Sequence, residues 1–261
     1  MGVLPRNQKA AAAWDSAAAH YERISLHLGD AIDHTILRLA PHAGERILDI
    51  GTGTGLAARR VASTGAAVVG IDLGAELIET ARRLAPAIDF RVGDAEQLPF
   101  EDSSFDAVIS TFGIMFAGRI KEAARETARV TRKGGRLALA WWTADSTVSK
   151  KFHLHQMFSP VAAPVPSPYH WGAREGIEEL FGDAFDLKFE LGDTCLRLSS
   201  GEEAWEMFEK GYGPTRTLAL SLPEDRYREF RRAFIDFYEG CRTELGIAVP
   251  REYLVAVGTR R

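Results

Sequence analysis

Three carboxylates mark the ends of three successive apolar runs in the first half of the chain. Asp49 lies in the first run just before a glycine-rich loop, Asp72 closes the second run, and Asp94 follows the third. If these runs are parallel strands, their carboxyl ends meet at one edge of a sheet, where folds of this kind bind ligands. Carboxylates at that edge attract cationic groups and accept hydrogen bonds from ribose hydroxyls or amines. The spacing therefore predicts one ligand-binding crevice.

The glycine-rich loop differs from a dinucleotide-binding loop. Gly51, Gly53 and Gly55 allow a sharp turn and let a ligand lie against bare main chain. A dinucleotide fingerprint, Gly-x-Gly-x-x-Gly, requires a glycine where Leu56 stands. The carboxylate of Asp49 suits a cationic group better than a pyrophosphate, although such an acid can also cap the following loop.

The elements that must position these residues alternate between strand and helix. Short, β-branched apolar runs predict buried strands at Arg46–Ile50, Ala67–Ile71, Ile88–Val92, Asp106–Ser110 and Arg136–Trp142. Helical patterns are expected at Leu56–Ser63, Ala75–Leu84, Lys121–Val130 and, in two segments broken near Gly29, at Ala10–Ala40. This alternation predicts an α/β fold with a doubly wound, mostly parallel, Rossmann-like sheet.

The second half of the chain follows a different pattern. Residues 143–172 contain four prolines and predict a loop with extended pieces. Beyond them we expect a helix at 173–182, a strand at Phe185–Leu198, helices at Gly201–Tyr212 and Pro223–Arg242, and a final strand at Tyr253–Thr259. The resulting organisation is an N-terminal helical segment (1–43), a Rossmann-like core (44–142), helical and loop cap insertions (143–182 and 199–245) and the final strands of the sheet (183–198 and 250–261).

Composition excludes several classes of protein. The 261 residues carry 32 Lys and Arg against 36 Asp and Glu, so no basic surface favours nucleic acid as a partner. Cys195 and Cys241 are the only cysteines, which excludes a disulfide framework and a zinc–thiolate site. No apolar stretch is long enough for a membrane span or a signal peptide. We therefore expect a cytoplasmic protein, as a monomer or a homodimer.

Taken in order, four motifs resemble those of the class I S-adenosylmethionine-dependent methyltransferases. They are ILDIGTGTG, VVGID, VGDAEQLPFEDSSFDAVIS and RVTRKGGRLALAWW. The Leu98-Pro99-Phe100 turn is similar to that of the small-molecule branch that includes the ubiquinone and menaquinone biosynthesis methyltransferases. This resemblance implies a seven-stranded sheet in which the last strand is inserted antiparallel between two others.

The resemblance also implies a cofactor site for S-adenosyl-L-methionine and its product S-adenosyl-L-homocysteine. In it, the glycine loop would hold the methionine part, Asp72 the ribose, and Asp94 the adenine amine. Phe112 and its neighbours would border the sulfonium, and Tyr21 would close over the carboxylate end. The implied cofactor-binding residues are Tyr21, Asp49, Gly51, Thr52, Gly53, Gly55, Asp72, Leu73, Asp94, Ala95, Glu96, Ser110, Thr111 and Phe112.

Acceptor-binding residues are expected after the fourth strand and in the insertion that follows the core. The candidates are aromatic or apolar residues at these places, namely Met115, Phe116, Trp142, Tyr169 and Trp171. The aromatic residues of the insertion could equally form a small secondary core. A histidine suits a general base at neutral pH, and His155 and His170 are the candidates. No metal site is expected, because His153 and His155 could form a ligand pair only on a strand.

These observations favour one activity over two alternatives. The leading hypothesis is methyl transfer from S-adenosyl-L-methionine to O, N or C of a small, apolar or aromatic metabolite. The reaction is an in-line displacement that depends mainly on positioning. One alternative is a non-catalytic cofactor-binding or regulatory module. The other is a nicotinamide-dependent reductase, but no tyrosine of the chain precedes a lysine at the Tyr-x-x-x-Lys spacing.

Overall fold

One sheet forms the centre of the computed structural model, which describes residues 2–160 and 167–261. The strands are β1 Arg46–Ile50, β2 Ala67–Asp72, β3 Asp89–Val92, β4 Phe105–Thr111, β5 Thr131–Trp142, β6 Phe185–Leu198, β7 Arg242–Thr243 and β8 Gly246–Arg260. Their order in the sheet is β3-β2-β1-β4-β5-β8-β6, and β7 pairs with β8. Strands β1 to β5 are parallel, and β8 lies antiparallel between β5 and β6. The predicted fold class and the inserted antiparallel strand are confirmed. The short β7 adds an eighth strand.

Helices cover both faces of this sheet. They are α1 Gln8–Asp15, α2 Ala18–Leu26, α3 Gly29–Leu39, α4 Leu56–Ala62, α5 Ala75–Leu84, α6 Ile120–Val130, α7 Thr147–Phe158, α8 Arg174–Phe181, α9 Gly201–Gly211, α10 Gly213–Ser221 and α11 Glu224–Glu239. Successive side chains of a strand point to opposite faces of the sheet. Ile47 belongs to a hydrophobic cluster that includes residues of α4 and α5, and Leu48 belongs to one that includes residues of α6 and α8. Both faces of β1 are therefore buried, as its unbroken apolar sequence requires.

Strands β6 and β8 extend past the edge at which β5 stops. The last residue of β5, Trp142, pairs with Tyr253, whereas β8 pairs with β6 along residues 247–260. The first part of β8 and the second part of β6 therefore project beyond the carboxyl end of β5. Helices α9 and α11 pack on this extension through Phe208 and Phe234, in a cluster that includes Leu196. The cap thus has a hydrophobic core of its own beside the crevice.

The N-terminal helices are attached to the core by a cap contact. Both carboxylate oxygens of Asp15 accept hydrogen bonds from the first turn of α5, at 3.1 Å from Ala75 N and 3.0 Å from Glu76 N. Those N–H groups have no partner within their own helix, so the contact satisfies them. Helices α1 and α2 are therefore held over the carboxyl ends of the parallel strands.

Three predictions about the elements were wrong. Residues 147–158 form helix α7 where a loop was expected. The polar residues Lys151 and His155 lie on its buried face and interrupt the apolar periodicity that predicts a helix. The segment Gly213–Ser221, to which no element was assigned, is helix α10. The last strand begins at Gly246, well before the expected Tyr253. The N-terminal region breaks near Gly29 as expected and once more at residues 16–17. Within the described residues, no helix is both long and apolar enough to cross a membrane.

Candidate functional site

The floor of the crevice is a close backbone contact between the loops that follow β1 and β4. Gly51 has a φ of +70°, and a Cβ at this position would lie 2.7 Å from the Cα of Gly113. The reciprocal Cβ on Gly113 would lie 2.8 Å from the Cα of Gly51. Only glycine fits at either position, so at this floor a ligand would lie against main chain.

Two acids flank this floor, Asp49 buried and Asp72 half-buried. Asp72 Oδ2 accepts a hydrogen bond from Gly53 N at 2.9 Å, and its Oδ1 accepts one from Gly74 N at 2.9 Å. Asp49 Oδ2 accepts from Thr52 Oγ1 at 2.7 Å, but its buried Oδ1 has no partner among the described residues. Burial raises the pKa of both carboxyls. The pKa of Asp49 rises to about 7, and the nearby charge of Asp72 contributes to this increase. A cationic ligand nearby would therefore be stabilised by these acids.

The N-terminal segment covers the third acid. Asp94 Oδ2 accepts hydrogen bonds from Leu4 N at 3.2 Å and from Asn7 Nδ2 at 2.8 Å. Next to it, Glu96 forms an ion pair with Arg6 at 2.8 Å. Both Asn7 and Asp94 line the cavity that fills the crevice. The segment before α1 therefore closes the end of the crevice at which β3 stops.

An aromatic stack borders the other side of the floor. Phe112, directly after β4, has a φ of +60°, which is uncommon for a residue with a side chain. Its ring stacks on Trp142 with the centroids 3.9 Å apart, and Tyr253 packs edge-on against both rings. Strained backbone of this kind is concentrated at functional sites. Phe112 and Trp142 both line the cavity.

Comparison with known proteins supplies the family. A family model described as "Methyltransferase domain" matches residues 48–139. A demethylmenaquinone methyltransferase of Beutenbergia cavernae is 33% identical over 163 residues, which are 59% of this chain and 68% of that protein. An uncharacterized protein of Mycobacterium tuberculosis is 35% identical over 188 residues, 69% of either chain. The YcgJ protein of Bacillus subtilis has the same fold, with a TM-score of 0.60 at 21% identity, over 91% of this chain and 99% of that one.

The chain belongs to the class I S-adenosylmethionine-dependent methyltransferases. S-adenosylmethionine would require acids near its cationic groups and its ribose, and main chain open to the ligand. Gly51 and Gly113 both line the cavity and have no side chain that would cover their main chain. Asp72 and Asp94 line the same cavity. The residues present therefore fit the cofactor that the family uses.

The cofactor residues expected for this methyltransferase divide into two groups. Those that line the cavity are Tyr21, Gly51, Asp72, Leu73, Asp94, Ala95, Thr111 and Phe112. The others do not line the cavity, and these are Asp49, Thr52, Gly53, Gly55, Glu96 and Ser110. Ser110, for example, donates to Ile50 O at 2.6 Å and accepts from Ile114 N at 3.0 Å, which holds the loops after β1 and β4 together.

Of the expected acceptor-binding residues, only Phe116 and Trp142 line the cavity. Met115, Tyr169 and Trp171 are buried in the main core instead. Tyr169 packs behind Phe116, with the ring centroids 6.5 Å apart. Tyr169 and Trp171, near the end of the 143–172 insertion, thus belong to the main core and do not form a separate secondary core.

Neither histidine predicted as a base lies at the cavity. His155 is buried, its Nδ1 is 2.7 Å from Lys151 O and its Nε2 is 2.8 Å from Thr215 Oγ1. Burial, with the neighbouring Lys151 charge, lowers the pKa of His155 to about 3, so the ring is neutral. His170 is exposed and packs on Trp171. His153 and His155 lie on a helix, and the described residues contain no group of three or more potential metal ligands.

The sequence analysis missed a lysine and an arginine that line the methyltransferase cavity, Lys151 and Arg251. Lys151 lies on α7, which was predicted as a loop, and Arg251 lies on the part of β8 that was not predicted. A helical pattern with a cap at Ser146, whose side chain accepts from Val148 N, was the signal available for α7.

Proposed function

We propose that this methyltransferase transfers a methyl group from S-adenosylmethionine to an oxygen, nitrogen or carbon of a small, apolar or aromatic acceptor. The observation that supports this best is that one cavity reaches from Asp72 and Asp94 across the Gly51 floor to the aromatic wall of the cap, formed by residues such as Phe208 and Tyr212. Donor and acceptor could therefore occupy one enclosed space. The family assignment is consistent with such a reaction.

In this proposal the acids and the glycine floor hold the donor. Asp72 would accept hydrogen bonds from the ribose hydroxyls, Asp94 would meet the adenine amine, and Gly51 would lie against the methionine part. Tyr21, half-buried at the cavity wall, would close over that part. Bound S-adenosylmethionine would supply an electrophilic methyl group on a sulfonium.

The rest of the chain would act by positioning and by excluding water. Residues 1–43 would cover the donor, and the cap segments 143–182 and 199–245 would enclose the acceptor. The Phe112–Trp142 stack lies where the two halves of the cavity meet, so it would fix the approach of the acceptor. Alignment of nucleophile, methyl carbon and sulfur is the main requirement of an in-line displacement, and a base is needed only for an acceptor that arrives protonated.

Calorimetric titration with S-adenosylmethionine and with S-adenosylhomocysteine tests this proposal. We expect both to bind, and Asp72→Ala to weaken the binding of S-adenosylhomocysteine by ~10–100-fold, the effect of losing hydrogen bonds to a charged group. Asp145→Ala, at an exposed position outside the cavity lining, is the matched control and should bind as the wild type does. Absence of binding to the folded wild type, or unchanged binding to folded Asp72→Ala, would contradict the proposal.

A further inference from the structure

Two buried cations line the cavity without a carboxylate partner. Lys151 is 4% exposed and Arg251 is 6% exposed, and both belong to the cavity wall. Among the described residues, no carboxylate oxygen lies within 4.0 Å of a side-chain nitrogen of Lys151 or Arg251, whereas other basic side chains such as Lys121 and Arg231 form ion pairs. Buried charges in proteins are normally paired or bound to ligands.

The protein satisfies these cations only in part. The ammonium of Lys151 lies 4.2 Å from the ring centre of Phe208 and 4.0 Å from that of Tyr212. The guanidinium of Arg251 donates through Nη2 to the carbonyl of His27 at 2.5 Å, but its buried Nε has no partner among the described residues. Aromatic faces stabilise a cation less than an anion does. A hydrogen-bond donor and a charge are therefore left for a ligand.

The position of the cations assigns them to the acceptor and not to the donor. The donor acids Asp72 and Asp94 lie at the ends of β2 and β3, on one side of the glycine floor. Arg251 lies on the extension of β8, two strands beyond β4 on the other side, and its guanidinium is 5.7 Å from the ring centre of Trp142. Lys151 contacts cap residues. We call the part of the cavity lined by Trp142, Lys151, Phe208, Tyr212, Tyr238 and Arg251 the cationic chamber.

We propose that the acceptor of this methyltransferase is an apolar or aromatic metabolite that carries an anionic oxygen group, a carboxylate or a phenolate, bound by Lys151 and Arg251 in the cationic chamber. The aromatic walls would pack on the body of the acceptor, and the two cations would hold its anionic group. This inference rests on the proposed methyl transfer for its meaning, but the chamber itself can be tested without turnover.

The test compares anionic probes with neutral partners of the same shape, by calorimetry on protein saturated with S-adenosylhomocysteine. The pairs are 2-naphthoate with 2-naphthamide, for a carboxylate, and 4-nitrophenolate with 4-nitroanisole, for a phenolate. The proteins are wild type, Lys151→Met, Arg251→Met, and Lys150→Met as the matched control on the exposed side of α7. We expect at least one anion to bind the wild type and Lys150→Met more tightly than its neutral partner by ~30-fold or more, since breaking a buried charge pair has effects of this size. The pair that shows the preference identifies the anionic group.

In Lys151→Met and Arg251→Met we expect this preference to fall below ~3-fold, while the affinity for S-adenosylhomocysteine stays within ~3-fold of the wild type. The proposal is overturned if no anion binds the wild type more tightly than its neutral partner, or if both folded variants keep the preference. Weakened S-adenosylhomocysteine binding in the variants would also overturn it, because the cations would then serve the donor carboxylate. If Arg251→Met does not fold, Lys151→Met decides. Should S-adenosylhomocysteine fail to bind the wild type, the proposed function fails, and the same probe pairs on the free protein still test the chamber.

Discussion

Replacing Lys151 with methionine should stabilise the ligand-free protein, because the wild type buries an ammonium without a counterion. Burial, helped by the charge of Arg251, lowers the pKa of Lys151 from 10.5 to about 7. Each pKa unit is worth ~1.4 kcal/mol, so keeping Lys151 in the fold at neutral pH costs on the order of 4 kcal/mol. Loss of the contacts with Phe208 and Tyr212 offsets ~1–2 kcal/mol of the gain. We expect Lys151→Met to be more stable than the wild type by ~2 kcal/mol at pH 7.

The dependence of this difference on pH follows from the sign of the pKa shift. Above a pH of about 7 the folded wild type releases the proton of Lys151, while the unfolded chain holds it up to 10.5. The wild type therefore gains stability relative to the variant as the pH rises from about 7 towards 10.5, and the difference is constant below 7. The neighbouring His155, with a pKa of about 3, and Arg251, with a pKa of about 10, keep their charge states at intermediate pH.

Urea unfolding at about pH 6, 7.5 and 9, with Lys150→Met as the exposed control, measures these free energies. The advantage of Lys151→Met should be largest at the lowest pH and should shrink by more than half at the highest, whereas Lys150→Met should follow the wild type throughout. If Lys151→Met is no more stable than the wild type at the lowest pH, or if its advantage does not change with pH, then Lys151 is not a desolvated, unpaired ammonium and the reasoning fails.

Two further predictions concern the floor and the buried histidine. Gly51→Ala should lower the free energy of unfolding by ~1–3 kcal/mol more than Gly44→Ala and should abolish S-adenosylhomocysteine binding, because both glycines have positive φ but only the Cβ at position 51 would meet Gly113. Equal losses of stability in the two variants, measured by urea unfolding, would contradict the crowding argument. His155→Gln should lower the free energy of unfolding by ~1–3 kcal/mol, because the hydrogen bonds of His155 with Lys151 O and Thr215 Oγ1 are lost. It should leave the affinity for S-adenosylhomocysteine unchanged. A large loss of that affinity would show that His155 does reach the site.

The proposed donor half of the site could be predicted from the sequence because its information is local. Each strand from β1 to β3 is a short apolar run, and the acids that end β2 and follow β3 line the crevice as a consequence of parallel topology. Asp72 and Asp94 were placed in this way, and both line the cavity. The glycine at position 51 likewise indicates a close contact with main chain, and in the structure the backbone of Gly113 lies against it.

The proposed acceptor half was decided by tertiary structure. Lys151 interrupts the apolar pattern of α7, so apolar periodicity did not indicate this helix, and the structure shows that Lys151 lines the cavity. Arg251 reaches the same cavity because β8 is paired with β6 beyond the end of β5, a register between segments that are far apart in the chain. His155, chosen for its chemistry, is instead a buried, neutral side chain. Periodicity records which residues are apolar, but a polar residue in an apolar wall is explained only by what surrounds it, and that is fixed by the packing of distant elements.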